Sequence, residues 1–375
     1  MIKILFIYGT RPEAIKMAPI IRKVRNGEAE IIPYVCLTGQ HKEMLIQVNK
    51  FFDIKADYDL DLMTKNQSLS DITARCVVEL DKICKKILPN YVFVQGDTTT
   101  AMVGALVGYY NKIEVAHIEA GLRSGNKYSP FPEEINRKII SSIADIHFAP
   151  TTSAKNNLQN EGIRDNIYIT GNTVIDALRI GLEKINKNND IKYRRKFRDI
   201  CFSNKIILIT GHRRENFGNI IENICQAIKE VATSRNDVEF IYPVHPNPNI
   251  HDSVYKILNG IKNIHLMAPL QYNYFIWIMA KSYFIITDSG GVQEEAPYLG
   301  KPVLIIRNNT ERIESILSGT ARLIGTEKDA IKNAILELMD NKDSYEKMKI
   351  PNNPYGDGKA SDRIIDIIKK RENLF

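Results

Sequence analysis

Short apolar runs alternating with amphipathic segments predict an α/β protein, built as two Rossmann-like, doubly wound domains facing across a cleft. Three observations carry this expectation. At 375 residues the chain exceeds what one ordinary core holds, so two domains are expected. The apolar runs are nearly continuous and rich in β-branched residues, as in parallel strands covered by helices on both faces. The alternation fills the first half and starts again in the second, after a polar, charged stretch at 184–196.

In the first half the strand-like runs are KILFIY (3–8), IIPYVCL (31–37), YVFVQ (91–95), EVAHI (114–118), DIHFA (145–149) and NIYIT (166–170). Between them lie segments with helical spacing, such as LSDITARCVVELDKICKKIL (69–88). The second half repeats the pattern with KIILIT (205–210), VEFIYPV (238–244), NIHLM (263–267), YFIIT (283–287) and PVLIIR (302–307). The domains are therefore expected at 1–171 and 172–356. A last helix within 357–375 follows the turn-rich NNPYGDGKA and is expected to pack back onto the first domain. Pro19 predicts a kink or an early stop in the first helix.

The composition is that of a soluble globular enzyme, 44% hydrophobic and 25% charged. A formal charge of +7 fits an anionic ligand, but the basic residues are scattered. The densest group, KYRRKFR (192–198), reads as a solvated helix face rather than a nucleic-acid patch. Five cysteines without paired spacing read as reduced thiols of a cytoplasmic protein. MIKILFIYG is too short for a signal peptide and reads as a first strand, and no run approaches a membrane span.

In open parallel sheets ligands bind beyond the carboxyl ends of the strands, and the polar clusters fall there. After the first strand comes GTRPEAIKMAP, with Thr10 as a cap, Pro12 in the first helical turn, and Arg11 and Lys16 as bases for an anion. QGDTTTA puts Asp97 at a strand end, HIEAGLRS does the same for Glu119, and YSPFPEEINRK presents Glu133 and Glu134 from a proline-stiffened loop. Asp97, Glu119 and Glu133 are expected to converge, and crowded carboxylates raise one pKa toward neutrality. For any single acid, a helix-capping role is the competing reading.

In the second half TGHRRENFG places His212 and an arginine where a diphosphate can be met. HPNPNIH lacks metal-ligand spacing, so no metal site is expected. TDSGGVQEEAPYLG runs from a strand into a glycine pair and then a helix, a seat for phosphate oxygens at Ser289, Gly290 and Gly291. Glu294 and Glu295 are expected in the first helical turn, where one carboxylate can bind a ribose diol. A tight strand–helix turn whose acids complement the helix dipole is the alternative. Arg307 and Arg312 follow the strand PVLII. No GxSxG, Walker motif or GxGxxG is present, which argues against serine hydrolysis, P-loop chemistry and nicotinamide binding.

Together these segments, with TGQHKEML, GNTVIDAL, HPNP and NNTER, resemble the non-hydrolysing UDP-N-acetylglucosamine 2-epimerase family in the family's order. The resemblance implies a GT-B-like fold and cytoplasmic interconversion of UDP-GlcNAc and UDP-ManNAc for cell-surface polysaccharide synthesis. It implies no NAD or other cofactor, no metal, no nucleic-acid or membrane partner, and a homodimer. It makes Asp97, Glu119 and Glu133 the acid/base set. Arg11, Lys16 and His212 steady the phosphates, Ser289, Gly290 and Gly291 hold phosphate oxygens, Glu295 meets the ribose, Arg312 stands nearby, and Phe275, in the loop YNYFIW, lies by the uracil. Gln40, His41 and Gln67 match the motif positions of an allosteric UDP-GlcNAc site. Ile313 stands where many members have proline, so the loop holding Arg312 is expected to be less restrained. Three alternatives stay open: an epimerase of a modified UDP-sugar, a retaining glycosyltransferase, and a catalytically silent UDP-sugar sensor.

Overall fold

The structure is a computed structural model and describes residues 1–40, 42–64, 67–187, 190–211, 213, 217–349 and 353–374. The chain divides into two compact units, Met1–Ile180 with Tyr355–Phe375, and Gly181–Pro354.

The strands of the first unit are β1 (Ile2–Tyr8), β2 (Ile31–Leu37), β3 (Tyr58–Asp59), β4 (Tyr91–Gln95), β5 (Glu114–Ile118), β6 (Ile146–Ala149) and β7 (Ile167–Ile169). They form one parallel sheet in the order β3-β2-β1-β4-β5-β6-β7. The second unit contains β8 (Lys205–Thr210), β9 (Val238–Pro243), β10 (Ile264–Met267), β11 (Phe284–Thr287), β12 (Val303–Ile305) and β13 (Ala321–Leu323), in the parallel order β10-β9-β8-β11-β12-β13. In each sheet the chain winds outward from a central strand in both directions, the doubly wound pattern expected from the sequence. The two central strands β1 and β4 are buried along nearly their whole length, as their unbroken Ile, Leu, Val and Phe content requires. The two strands missing from the sequence reading, β3 and β13, are two and three residues long and close sheet edges. Strands that short carry no periodicity to read.

Helix Arg11–Gly27 does not stop at Pro19 but runs through it. Proline costs a helix interior about 3 kcal/mol. Here Ala14, Met17, Ala18, Ile20, Ile21 and Val24 are all buried on that helix, and each large apolar side chain returns about 1.5–3 kcal/mol. The polar stretch at 184–196 begins just past the division between the units, after Ile180. Its first part ends helix Thr173–Lys187, and helix Ile191–Lys196 follows. Tyr193 and Phe197 are buried and stack on Trp277 at ring distances of 6.0 and 5.3 Å, while Arg194, Arg195 and Lys196 face solvent.

Helix Ala360–Arg371 packs against helix Arg11–Gly27. The buried Asp176 carboxylate accepts from the N–H groups of Ala360 (3.1 Å) and Ser361 (2.8 Å), which anchors the start of this last helix. Lys369 reaches Glu28 at 2.9 Å and Arg371 reaches Glu114 at 3.0 Å along its length. Among the described residues no helix is long and apolar enough to cross a membrane.

Candidate active site

The polar groups of the first unit gather where β1, β4 and β5 end. A Cβ at Gly9 would lie 2.1 Å from Thr38 Oγ1 and 2.8 Å from Thr100 Oγ1, so only glycine lets these loops meet. Thr10 caps helix Arg11–Gly27, with Pro12 in its first turn and Arg11 half-buried. Glu13 is fully buried. One of its oxygens accepts from the N–H groups of Gly9 (3.0 Å) and Thr10 (2.7 Å), the other from the Thr98 hydroxyl (2.6 Å). Burial raises its carboxyl above the usual range despite those donors.

From the next turn of the same helix the buried Lys16 ammonium meets the carboxylate of Glu119, just past β5. Glu119 also accepts a hydrogen bond from Asn172 Nδ2 at 2.7 Å. Its backbone is left-handed, with φ +64°. That conformation costs a non-glycine residue about 1–3 kcal/mol and persists where neighbours over-determine it. Here Ile118 accepts from Gly96 N–H at 3.0 Å on one side, and Ala120 N–H donates to Phe148 at 3.0 Å on the other.

Asp97 follows β4. Its carboxylate accepts from Arg137 Nη2 (2.6 Å) and Nε (2.9 Å), and its carbonyl accepts from Asn136 Nδ2 (2.9 Å). Arg137 also pairs at 3.0 Å with the buried Glu134, which takes the N–H groups of Ser124 and Gly125 as well. Glu133 opens helix Glu133–Ile143, one turn before Arg137.

In the second unit β11 leads into Asp288 and Ser289, and helix Gly290–Tyr298 begins on the glycine pair itself. Its first free backbone N–H groups therefore belong to glycines, at the positive end of the helix. A Cβ on Gly290 would sit 3.0 Å from Arg312 Cζ, whereas Gly291 opens onto space. Asp288, fully buried, accepts from Arg213 N–H at 2.9 Å, and Arg213 Nε returns a bond to the Asp288 carbonyl at 3.0 Å. Glu311 ties three guanidiniums together: Arg312 at 2.7 Å, Arg307 at 3.0 Å and Arg213 at 3.2 Å. Burial alone would raise its carboxyl, yet the three cations hold it well below the ordinary carboxylate range.

Several expectations change. Glu294 and Glu295 stand in the second turn rather than the first, because the glycines are themselves helical. Glu294 is held by Arg312 at 3.0 Å, and Glu295 accepts from the Tyr272 hydroxyl at 2.9 Å. Phe275 is not in a loop: it is half-buried on helix Tyr272–Lys281, one turn from Tyr272. Arg312 is buried and salt-bridged to two carboxylates, so Ile313 leaves it restrained. The expected crowding of acids is replaced by charge matching, Lys16 against Glu119 and Arg137 against Asp97 and Glu134. Gln40 lies beside Gly9 at the end of β1, and Gln67 accepts from Thr64 N–H (3.0 Å) and Arg75 (2.6 Å). His41 and His212 lie outside the described residues.

Asn172, Arg137, Glu13 and Glu311 escaped the sequence reading. Arg137 stands four residues after Glu133 on an expected helix, and Glu13 three after Thr10, the spacing of a capping box. Asn172 meets Glu119 from 53 residues away, and Glu311 joins Arg213, 98 residues away, to its neighbours Arg307 and Arg312.

Two doubly wound parallel sheets with polar residues past the carboxyl ends of their strands are the arrangement of nucleotide-binding α/β enzymes. A family model described as UDP-N-acetylglucosamine 2-epimerase matches residues 24–369, and the chain belongs to this family. The UDP-N-acetylglucosamine 2-epimerase of Campylobacter jejuni is 49% identical over 380 residues, covering 99% of this chain and 98% of its own. That of Bacillus subtilis (strain 168) is 47% identical over 368 residues, covering 97% and 94%. Among solved structures, UDP-GlcNAc 2-epimerase from Neisseria meningitidis bound to UDP-GlcNAc superposes with a TM-score of 0.94 at 46% identity, covering 98% of this chain and all of that one. The Methanocaldococcus jannaschii enzyme in complex with UDP-GlcNAc and UDP gives 0.84 at 34%, with the same coverage. The resemblance read from the ordered motifs is borne out.

Proposed function

We propose that this epimerase interconverts UDP-GlcNAc and UDP-ManNAc without releasing free sugar. A carboxylate takes the C-2 proton, the C–H electron pair becomes the C1=C2 double bond, and the anomeric C–O bond breaks to give UDP and 2-acetamidoglucal. A proton then returns to C-2 on the opposite face while a UDP oxygen adds back to C-1. Asp97, Glu119 and Glu133 are the proton carriers. Arg11, Lys16 and His212 balance the charge that builds on the leaving diphosphate, where fixed charges act most strongly. The Ser289 hydroxyl and the backbone N–H groups of Gly290 and Gly291 hold phosphate oxygens, Glu295 the ribose and Phe275 the uracil, with Arg312 nearby; the Ser289 N–H itself is taken by the Thr287 hydroxyl at 2.9 Å.

The observation that carries this reading is Glu119: a buried carboxylate on a left-handed residue, set between an ammonium and an amide at a strand end. Strain at such a position is characteristic of a functional group held in place. The test is incubation with UDP-GlcNAc in deuterated water. Deuterium at C-2 and formation of UDP-ManNAc are expected; recovery of unlabelled sugar after long incubation would overturn the reading. On the same family resemblance the working form is a cytoplasmic homodimer, and a light-scattering mass of a single 42.7 kDa chain would count against the dimer.

A further inference from the structure

Strands β4 and β5 run side by side, with Gln95 paired to Ile118. The next residues are Gly96 on one strand and Glu119 on the other, followed on the first by Asp97. Gly96 has φ +71°, and both of its backbone polar groups are tied to β5. Its N–H donates to Ile118 at 3.0 Å, and its carbonyl lies 2.7 Å from His117 Nε2. A Cβ on Gly96 would come within 3.9 Å of Glu119 Oε1, so this turn lies against the Glu119 carboxylate and leads directly into Asp97.

His117 is fully buried, and burial pushes its imidazole down to about 3, so the ring is neutral. A carbonyl only accepts, so Nε2 carries the proton. Among the described residues Nδ1 has no hydrogen-bond partner. A buried nitrogen left unmade is unfavourable, and an apolar residue of similar volume would avoid that cost. Core packing thus gives no reason for histidine here; the bond to Gly96 does.

We propose that His117 is a positioning residue that, through its hydrogen bond to the Gly96 carbonyl, sets the turn that places Asp97 relative to Glu119. The inference rests on the reading of these two acids as proton carriers. In such chemistry a displacement of about 1 Å costs on the order of 100-fold in rate.

The test uses three variants of the full chain. His117→Phe keeps the volume and removes the donor. His117→Gln puts an amide N–H near the place of Nε2. His117→Asn is polar but too short to reach. His117→Phe is expected to lower kcat and C-2 deuterium exchange by about 10- to 100-fold, with KM and calorimetric UDP affinity within about twofold of the parent. His117→Gln should recover to within about fivefold of the parent, and His117→Asn should behave like His117→Phe. Parental kcat in His117→Phe would overturn the proposal, as would equal rates for the Gln and Asn variants, or loss of UDP affinity in step with kcat. If His117→Phe fails to fold, the Gln–Asn comparison decides alone. A parent enzyme that places no deuterium at C-2 would sink the functional reading and this inference with it; a competent parent with insensitive variants sinks this inference only.

Discussion

Lys16→Met removes the ammonium from a pair whose side chains are only 9% and 5% exposed. Glu119 then keeps the Asn172 amide at 2.7 Å as a donor but loses its ammonium. Breaking a buried pair from one side costs about 3–5 kcal/mol. Glu119→Gln removes the carboxylate from the same pair instead and should cost a similar amount. Removing both charges in Lys16→Met/Glu119→Gln should lose no more than about 1–2 kcal/mol, because no isolated charge remains. For a unit of about 200 residues each kilocalorie shifts the midpoint by about 2–4 °C, so the single variants should melt roughly 6–20 °C lower. Far-UV circular dichroism follows the transition of the whole chain. The chain's one tryptophan, Trp277, belongs to the second unit, so its fluorescence reports that unit alone and serves as an internal control. A parental midpoint for Lys16→Met, or single effects that simply add in the double variant, would refute the coupling.

Gly290→Ala drives a Cβ to 3.0 Å from a guanidinium that two carboxylates hold, so calorimetric UDP affinity should weaken by about tenfold or more; unchanged affinity would count against the anion seat. Gly121→Ala combines φ +90° with a Cβ 2.1 Å from the Ala154 carbonyl oxygen, which should cost more than about 3 kcal/mol in a denaturation midpoint and leave little soluble protein. His117 and His147 are lowered by burial from 6.5 to about 3 and about 4. The unfolded chain binds their protons more tightly than the native chain does. The stability they contribute is therefore present above pH 6.5 and lost as pH falls toward 4 and below. The melting midpoint should drop across that window, and His147→Phe should drop less steeply; equal slopes would exclude His147 as a cause.

Much of this molecule is legible in the sequence, because parallel strands buried on both faces must be apolar throughout, and polar residues after them must sit at one sheet edge. Asp97, Glu119 and the glycine pair stand where that rule puts them. Much of what escaped has one physical cause. Glu119 acquires its cation and amide from residues 103 positions earlier and 53 later, and no local pattern encodes either contact. Pro19 argued for a helix break because its local penalty is visible in sequence, whereas the burial that outweighs it depends on the sheet beneath. The edge strands β3 and β13 exist only through their neighbours' hydrogen bonds.

The return of the chain at Tyr355 carries a consequence for how the enzyme comes into being. Asn172, the amide that steadies Glu119, donates its own N–H to the Tyr355 carbonyl at 2.7 Å, and Gly171 beside it leaves no room for a Cβ, which would lie 3.1 Å from the same oxygen. A nascent polypeptide emerging from the ribosome can finish its second sheet while this brace is still unsynthesised. The bracing of Asn172, and through it of Glu119, is thus among the last contacts the first unit acquires, and a product stopped before Tyr355 would lack it.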